Sequence, residues 1–162
     1  MEISNQINIS IEDKTDEELF DLAQMAKFRI VELYEKEKLG DPDEDFAYGA
    51  CGILASMLYN IFAGKAQIYL RADHAIVKIG NGYHELNYIN SREIEDQINA
   101  GIYYPININD ERDKHHFYLF LDRCKKQAVG PYGEKLVEIE KQVMKEMNFI
   151  YVEKDEKQLK VV

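Results

Sequence analysis

The chain has 162 residues, 46% of them hydrophobic and 31% charged, which is one globular domain's worth and too apolar for a disordered chain. Its 20 Lys and Arg against 30 Asp and Glu leave a formal charge of −10, so the surface repels phosphate and excludes nucleic acid or an anionic membrane as principal partner. No apolar run nears the roughly 18 residues of a membrane span. Met1 to Ser10 lacks a signal-peptide pattern, and only Cys51 and Cys124 carry thiols, so the expectations are a cytoplasmic protein with no membrane partner, no disulfide scaffold and no cysteine-based zinc site.

The first predicted element is a helix from Thr15 to Lys38. It opens on the capping-box pair Thr15 and Glu18, and Leu19, Leu22, Ala26, Ile30 and Leu33 recur at helical spacing. Gly40-Asp41-Pro42 ends it, and Asp41 to Asp45 reads as an acidic loop with carboxylates at 41, 43, 44 and 45. Tyr48-Gly49-Ala50-Cys51-Gly52 then leads into a run to Gly64 that is apolar on nearly every side, the pattern of a helix buried all round. Three strands are expected next, Ala66 to Leu70, His74 to Ile79 and Tyr83 to Ile89, the last two joined through Gly80-Asn81-Gly82. Asn90 and Glu93 cap a short helix to Ala100. Ile102 to Ile108 reads as a strand, Asp113 to Ala128 and Gly130 to Met147 as helices, and Phe149 to Val152 with Leu159 to Val162 as a terminal hairpin. The expected class is α+β, a central buried helix packed on an antiparallel sheet with additional N- and C-terminal helices. The whole chain, 1–162, is read as a single domain with an N-terminal helix over 15–38, a catalytic-like core over 46–90 and C-terminal helices and hairpin over 91–162.

Cys51 falls in the first turn of the buried helix. Unpaired N–H groups and the helix dipole there favour the thiolate, and the same N–H groups stabilise an oxyanion. Gly49 and Gly52 flank it and leave room for a substrate. A histidine on another element would serve as base and a third polar group would hold its ring. The hairpin supplies both. With Asn81-Gly82 as the turn, Lys78 faces Glu85 and Asn87 lies diagonal to His74. With Gly80-Asn81 as the turn, His74 and Asn87 are directly opposed and Glu85 is the diagonal neighbour of His74. In either register His74, Ile76, Lys78, Glu85, Asn87 and Ile89 share one face, while Ala75, Val77, Ile79, His84, Leu86 and Tyr88 form the other, mostly apolar one. Asn87 is the favoured partner for His74 and Glu85 the second choice.

These residues carry a resemblance. Tyr48-Gly-Ala-Cys51-Gly52 opening an apolar helix, a strand beginning His74-Ala-Ile-Val-Lys-Ile, and Gly82-Tyr83-His-Glu85-Leu-Asn87 look like the papain-like cysteine hydrolase superfamily. The order helix-Cys, strand-His, strand-polar most resembles its transglutaminase-like branch, over residues 48–88 only. The resemblance implies a papain/transglutaminase-like core with Cys51 as nucleophile, His74 as base and Asn87 or Glu85 as the group that orients the ring. The branch uses Asp at that last position and papain an Asn. Tyr83 matches the aromatic residue that precedes it, and the Trp often found near the site is absent. The implied activity is cysteine-dependent acyl transfer, as a peptidase, deamidase or transglutaminase-like enzyme, on a protein or peptide substrate and without a cofactor.

Other patterns lead elsewhere. A lone cysteine is most often a small core side chain, and it is the convergence of His74 and Asn87 that favours catalysis. His84-Glu85 begins a zinc-protease pattern, but Tyr88 stands where the second histidine belongs. His115 and His116 diverge as neighbours on a helix and read as solvated. Cys124, between Arg123 and Lys125, reads as structural on a peripheral helix. Tyr48 is the nearest side chain to Cys51 for a second oxyanion donor. The acidic segment at 41–45 is expected to raise the Cys51 pKa against the helix dipole, or to attract a basic substrate. The alternative function is a non-catalytic acidic interaction protein on the same fold that binds a basic protein partner.

Overall fold

The computed structural model describes residues 11–48, 51–86, 90–124 and 133–147, with the backbone alone at 47, 48 and 133. Tyr48, Gly49, Asn87 and the expected terminal hairpin therefore lie wholly or in their side chains outside the described residues. α1 spans Asp16–Lys36 and starts on the expected capping box: the Glu18 N–H donates to the Thr15 hydroxyl and the Thr15 N–H to the Glu18 carboxylate. Leu19, Ala23, Ala26, Ile30 and Leu33 are its buried face, with Leu22 half-buried.

The acidic segment is a helix rather than a loop. α2, Pro42–Tyr48, has proline at its first position and Asp43, Glu44 and Asp45 in its first turn, where the positive end of the helix dipole offsets their charge. Asp45 also accepts a 2.6 Å hydrogen bond from the Tyr34 hydroxyl of α1. α3 follows as Cys51–Ile61, and every residue from Cys51 to Leu58 is buried. Its polar members are satisfied: the Ser56 hydroxyl donates to the Gly52 carbonyl at 2.7 Å, and Asn60 donates to Glu140 at 3.3 Å.

The sheet is antiparallel in the order β3-β2-β1-β4, with β1 Ala66–Arg71, β2 His74–Ile79, β3 Gly82–His84 and β4 Tyr104–Ile106. Ile79 pairs with Gly82, Lys78 with Tyr83 and Val77 with His84, so the hairpin turns on Gly80-Asn81 and not on Asn81-Gly82. Gly80 carries the positive φ of +66°, and a Cβ there would lie 2.1 Å from the Asp16 carbonyl oxygen. The turn is thus set by the close approach of α1 as well as by turn chemistry.

One sheet face, Ile68, Leu70, Ala75, Val77, Ile79 and Ile106, joins the main core with α1 and α3. The other, Ile76 and Tyr83 with Tyr103, is covered by Ile94 of α4 (Ser91–Asn99), whose cap is the Asn90 side chain accepting from Arg92 and Glu93 N–H groups. α5 (Glu111–Cys124) and α6 (Gly133–Glu146) complete the described residues, and α3 touches α1, α2, α5, α6, β1 and β2. Among the described residues the architecture is a mixed α+β fold of six α-helices and a four-stranded antiparallel sheet around a buried central helix. No described helix is long and apolar enough to cross a membrane.

Candidate functional site

Cys51 is the first residue of α3 and 7% exposed, and His74 is the first residue of β2. Each side chain acts on the other's ionisation, and the Ala75 N–H adds to the effect on Cys51. The Nε2 of His74 meets the Glu85 carboxylate in a short hydrogen bond, which leaves Nδ1 for Cys51. With the turn at Gly80-Asn81, Glu85 takes the diagonal place next to His74 and Lys78 opposes Tyr83, its ammonium 5.3 Å from that ring's centre. The cross-strand ion pair between Lys78 and Glu85 expected of the other register is replaced by the pair of His74 and Glu85. Asp73 is engaged by Arg71 at 2.8 Å rather than by His74. Glu85, the second choice as orienting group, is therefore the side chain seen on the imidazole.

The second thiol completes the cluster. Phe117, Phe120, Leu121 and Cys124 form the buried stripe of α5, and Cys124 and Cys51 each act on the other's ionisation, with the Gly52 N–H favouring the Cys124 thiolate. Cys124 is thus not peripheral: it is a buried side chain of the main core, as is Cys51. Gly52 explains the approach: a Cβ there would fall 2.7 Å from Cε1 of Phe120 and 3.2 Å from Cδ2 of Leu121. The space that Gly52 leaves is occupied by α5 and is not open to a substrate.

These contacts set the protonation states. The Cys51 thiol is drawn down to about 5, chiefly by the hydrogen bond from Cys124, with burial opposing and His74 and the Ala75 N–H adding to the effect. Burial opposes a charge on His74, yet the hydrogen bonds and charges of Cys51 and Glu85 outweigh it and raise the imidazole to about 9. Cys124 moves strongly upward, first because it donates to the Cys51 thiolate and second because it is buried. Within this coupled pair the anion belongs on Cys51. That sulfur sits at a helix N-terminus beside an imidazolium, whereas Cys124 lies far along α5 from that helix's free N–H groups. Between these limits the site is a thiolate–imidazolium pair, with Glu85 behind the ring. The carboxylates of α2 are not among the leading groups that act on Cys51.

The other histidines separate cleanly. His84 points to the opposite sheet face, stacks at 4.8 Å on Phe20, and is pushed down to about 4, mainly by burial. It is a neutral core residue. His115 and His116 are exposed. Tyr103, which the sequence did not single out, is 3% exposed beneath the Arg71 guanidinium, 5.3 Å from its ring centre. Burial raises its hydroxyl to about 12, with Arg71, Glu85, Asp73 and Cys51 also acting on it, and it packs with Ile76, Tyr83 and Ile94. Among the described residues no three His, Cys, Asp or Glu side chains are arranged to hold a metal ion. Comparison with known protein families, with characterised proteins and with solved structures finds no match.

Proposed function

We propose that this protein is a cysteine-dependent acyl-transfer enzyme in which Cys51, His74 and Glu85 act as nucleophile, base and orienting carboxylate. The observation that carries the reading is the bond between His74 Nε2 and the Glu85 carboxylate, on an imidazole that acts on Cys51 at the first residue of a buried helix. A papain/transglutaminase-like core is part of the same proposal, supported by the order helix-Cys, strand-His and a carboxylate just after the next strand.

In this reading the Cys51 thiolate attacks an amide or carboxamide carbon and forms a carbon–sulfur bond. The Cys51 backbone N–H, at the helix start, stabilises the oxyanion. The His74 imidazolium gives its proton to the departing amine as the carbon–nitrogen bond breaks. Water or an amine then attacks the thioester while neutral His74 takes its proton, and the thiolate is released. Glu85 holds the ring so that the proton moves between Cys51 and substrate. Peptide cleavage, deamidation and transamidation share the first half of this sequence, and a protein or peptide substrate fits all three.

The test is labelling with a peptide-based electrophile, such as an acyloxymethyl ketone, in wild type, Cys51→Ala and His74→Ala. Covalent mass added at Cys51 in wild type, slowed at least tenfold in His74→Ala and absent in Cys51→Ala, supports an enzyme. Equal, slow labelling of wild type and His74→Ala refutes it and leaves the acidic binding protein.

A further inference from the structure

We propose that Arg71 is the specificity residue of this site: its guanidinium fork holds a carboxylate of the substrate beside His74. The proposal rests on the acyl-transfer reading for its chemistry. It narrows the substrate class to peptides that carry an acidic group next to the reacting amide.

Strand register brings the two side chains together. Arg71 is the last residue of β1 and pairs directly with His74, the first residue of β2. Directly opposed residues of an antiparallel pair share a face, with Cβ atoms about 5 Å apart. On the other side of β1, Leu70 pairs with Tyr104, so Tyr103 comes next in line with Arg71. His74, Arg71 and Tyr103 thus form one row across the end of the sheet.

The guanidinium is fixed on two sides and open on a third. Its carbon lies 5.3 Å from the centre of the Tyr103 ring, which is buried beneath it. Its Nε donates to the carboxylate of Asp73, in the turn between β1 and β2, at 2.8 Å. Among the described residues Asp73 is the only hydrogen-bond partner of the Arg71 side chain, and it takes Nε alone. The edge formed by the two Nη groups is left, and its parallel N–H donors match the two oxygens of a carboxylate. Glu85, the carboxylate bonded to His74, is not bonded to Arg71. Lys78, the other cation on this face of β2, stands four residues from His74 and over the Tyr83 ring. The Arg71 side chain is 37% exposed against 14% for His74, so a ligand arriving from solvent meets the guanidinium before the imidazole.

The experiment follows the His74 ring protons by NMR while three ligands are titrated in turn into the full chain. N-acetylglutamate α-amide carries a side-chain carboxylate, N-acetylglutamine a terminal carboxylate, and N-acetylglutamine amide neither. The expected result is a saturable shift with one or both carboxylates, bound about tenfold or more tightly than the neutral amide, as one charge-assisted pair provides. Whichever carboxylate binds more tightly identifies the acidic group as a side chain or a chain terminus. Arg71→Gln removes the difference among the ligands, and Arg71→Lys, which keeps the charge and loses the fork, retains only part of it. Equal affinities in wild type, no saturable shift with any ligand, or a carboxylate preference that persists in Arg71→Gln overturns the proposal. Labelling of Cys51 by the peptide electrophile with no carboxylate preference refutes the Arg71 subsite alone. An Arg71-dependent preference without such labelling refutes the acyl-transfer reading alone.

Discussion

A thiol held as a thiolate reacts with a pH profile unlike that of any ordinary cysteine, and Cys51 provides a quantitative case. An unperturbed thiol of pKa about 8.5 is only about 0.3% ionised at pH 6 and about a quarter ionised at pH 8, so its alkylation rate rises roughly 80-fold over that interval. With Cys51 drawn down to about 5, its thiolate fraction is already ~0.9 at pH 6, and the rate is nearly flat from pH 6 to pH 8. Lower basicity also lowers intrinsic nucleophilicity, by roughly 40-fold for this difference at a Brønsted slope near 0.45, so the net advantage over a free thiol at pH 6 is only about 7-fold. Limited access to a residue 7% exposed scales the whole curve without bending it. The shape is therefore the measurement. Iodoacetamide alkylation, followed at Cys51 by peptide mapping between pH 4 and pH 9, should show a midpoint near 5 and a plateau above it. His74→Ala removes the neighbouring imidazolium and should move the midpoint upward. A wild-type rate that climbs tenfold per pH unit through pH 8 would refute the thiolate–imidazolium pair and everything built on it.

Glu85→Gln removes a charged partner of His74, a bond worth about 1.5–3 kcal/mol, so the imidazole titration near 9 should fall by about one to two pH units when read from the ring protons by NMR. Asn87→Ala should leave it in place; the reverse pattern would restore Asn87 as the orienting group. Gly52→Ala forces a Cβ to within 2.7 Å of the Phe120 ring, an overpacking cost of about 1–3 kcal/mol in urea unfolding. The same change should raise the Cys51 midpoint, because Cys124 is displaced with α5. Glu140, buried beside Asn60, is raised by burial from 4.5 to about 7. A carboxyl raised on folding contributes fully below its unfolded value, and that contribution is lost as pH rises toward 7, by about 3 kcal/mol for this shift. Glu140→Gln should therefore stabilise the protein at pH 7.5 and have little effect at pH 4, and equal unfolding midpoints for the two proteins at pH 7.5 would contradict the burial argument.

How much of this was legible in the chain depends on the range of the forces involved. The capping box at Thr15, the Asn90 cap and the burial of the Cys51 helix are local, and the residues that make them lie within one or two turns. The α2 helix was hidden because four carboxylates in five residues read as a solvated loop; Pro42 at the first position, with acids in the first turn, was the overlooked signal. The hairpin shows the limit most clearly. Alternation along β2 and β3 assigns His74, Glu85 and Asn87 to one face in either register, because a two-residue shift preserves faces. Choosing between registers required knowing that the Asp16 carbonyl of α1 lies against Gly80, a contact made across more than sixty positions of chain. That choice decides which carboxylate or amide stands diagonal to His74.

The two thiols carry the same lesson further, because their meeting depends on an absence. Phe117, Phe120, Leu121 and Cys124 recur at three- and four-residue intervals, so a buried face that includes Cys124 was readable as an amphipathic stripe. Basic neighbours drew attention to its charge environment instead. What no periodicity reports is where that stripe docks. Gly52 reads, one residue after a candidate nucleophile, as room for substrate, yet the missing side chain is the groove into which Phe120 fits. With α5 seated there, Cys124 acts on Cys51 and favours the thiolate that a helix dipole, worth about a kcal/mol at most exposed sites, would favour only weakly. The net charge of −10 bears little on this chemistry: its nearest cluster is bound up in the first turn of α2 and the bond from Tyr34. The reactivity of Cys51 is set by three contacts, with Cys124, His74 and the Ala75 N–H, and each comes from a different element of the fold.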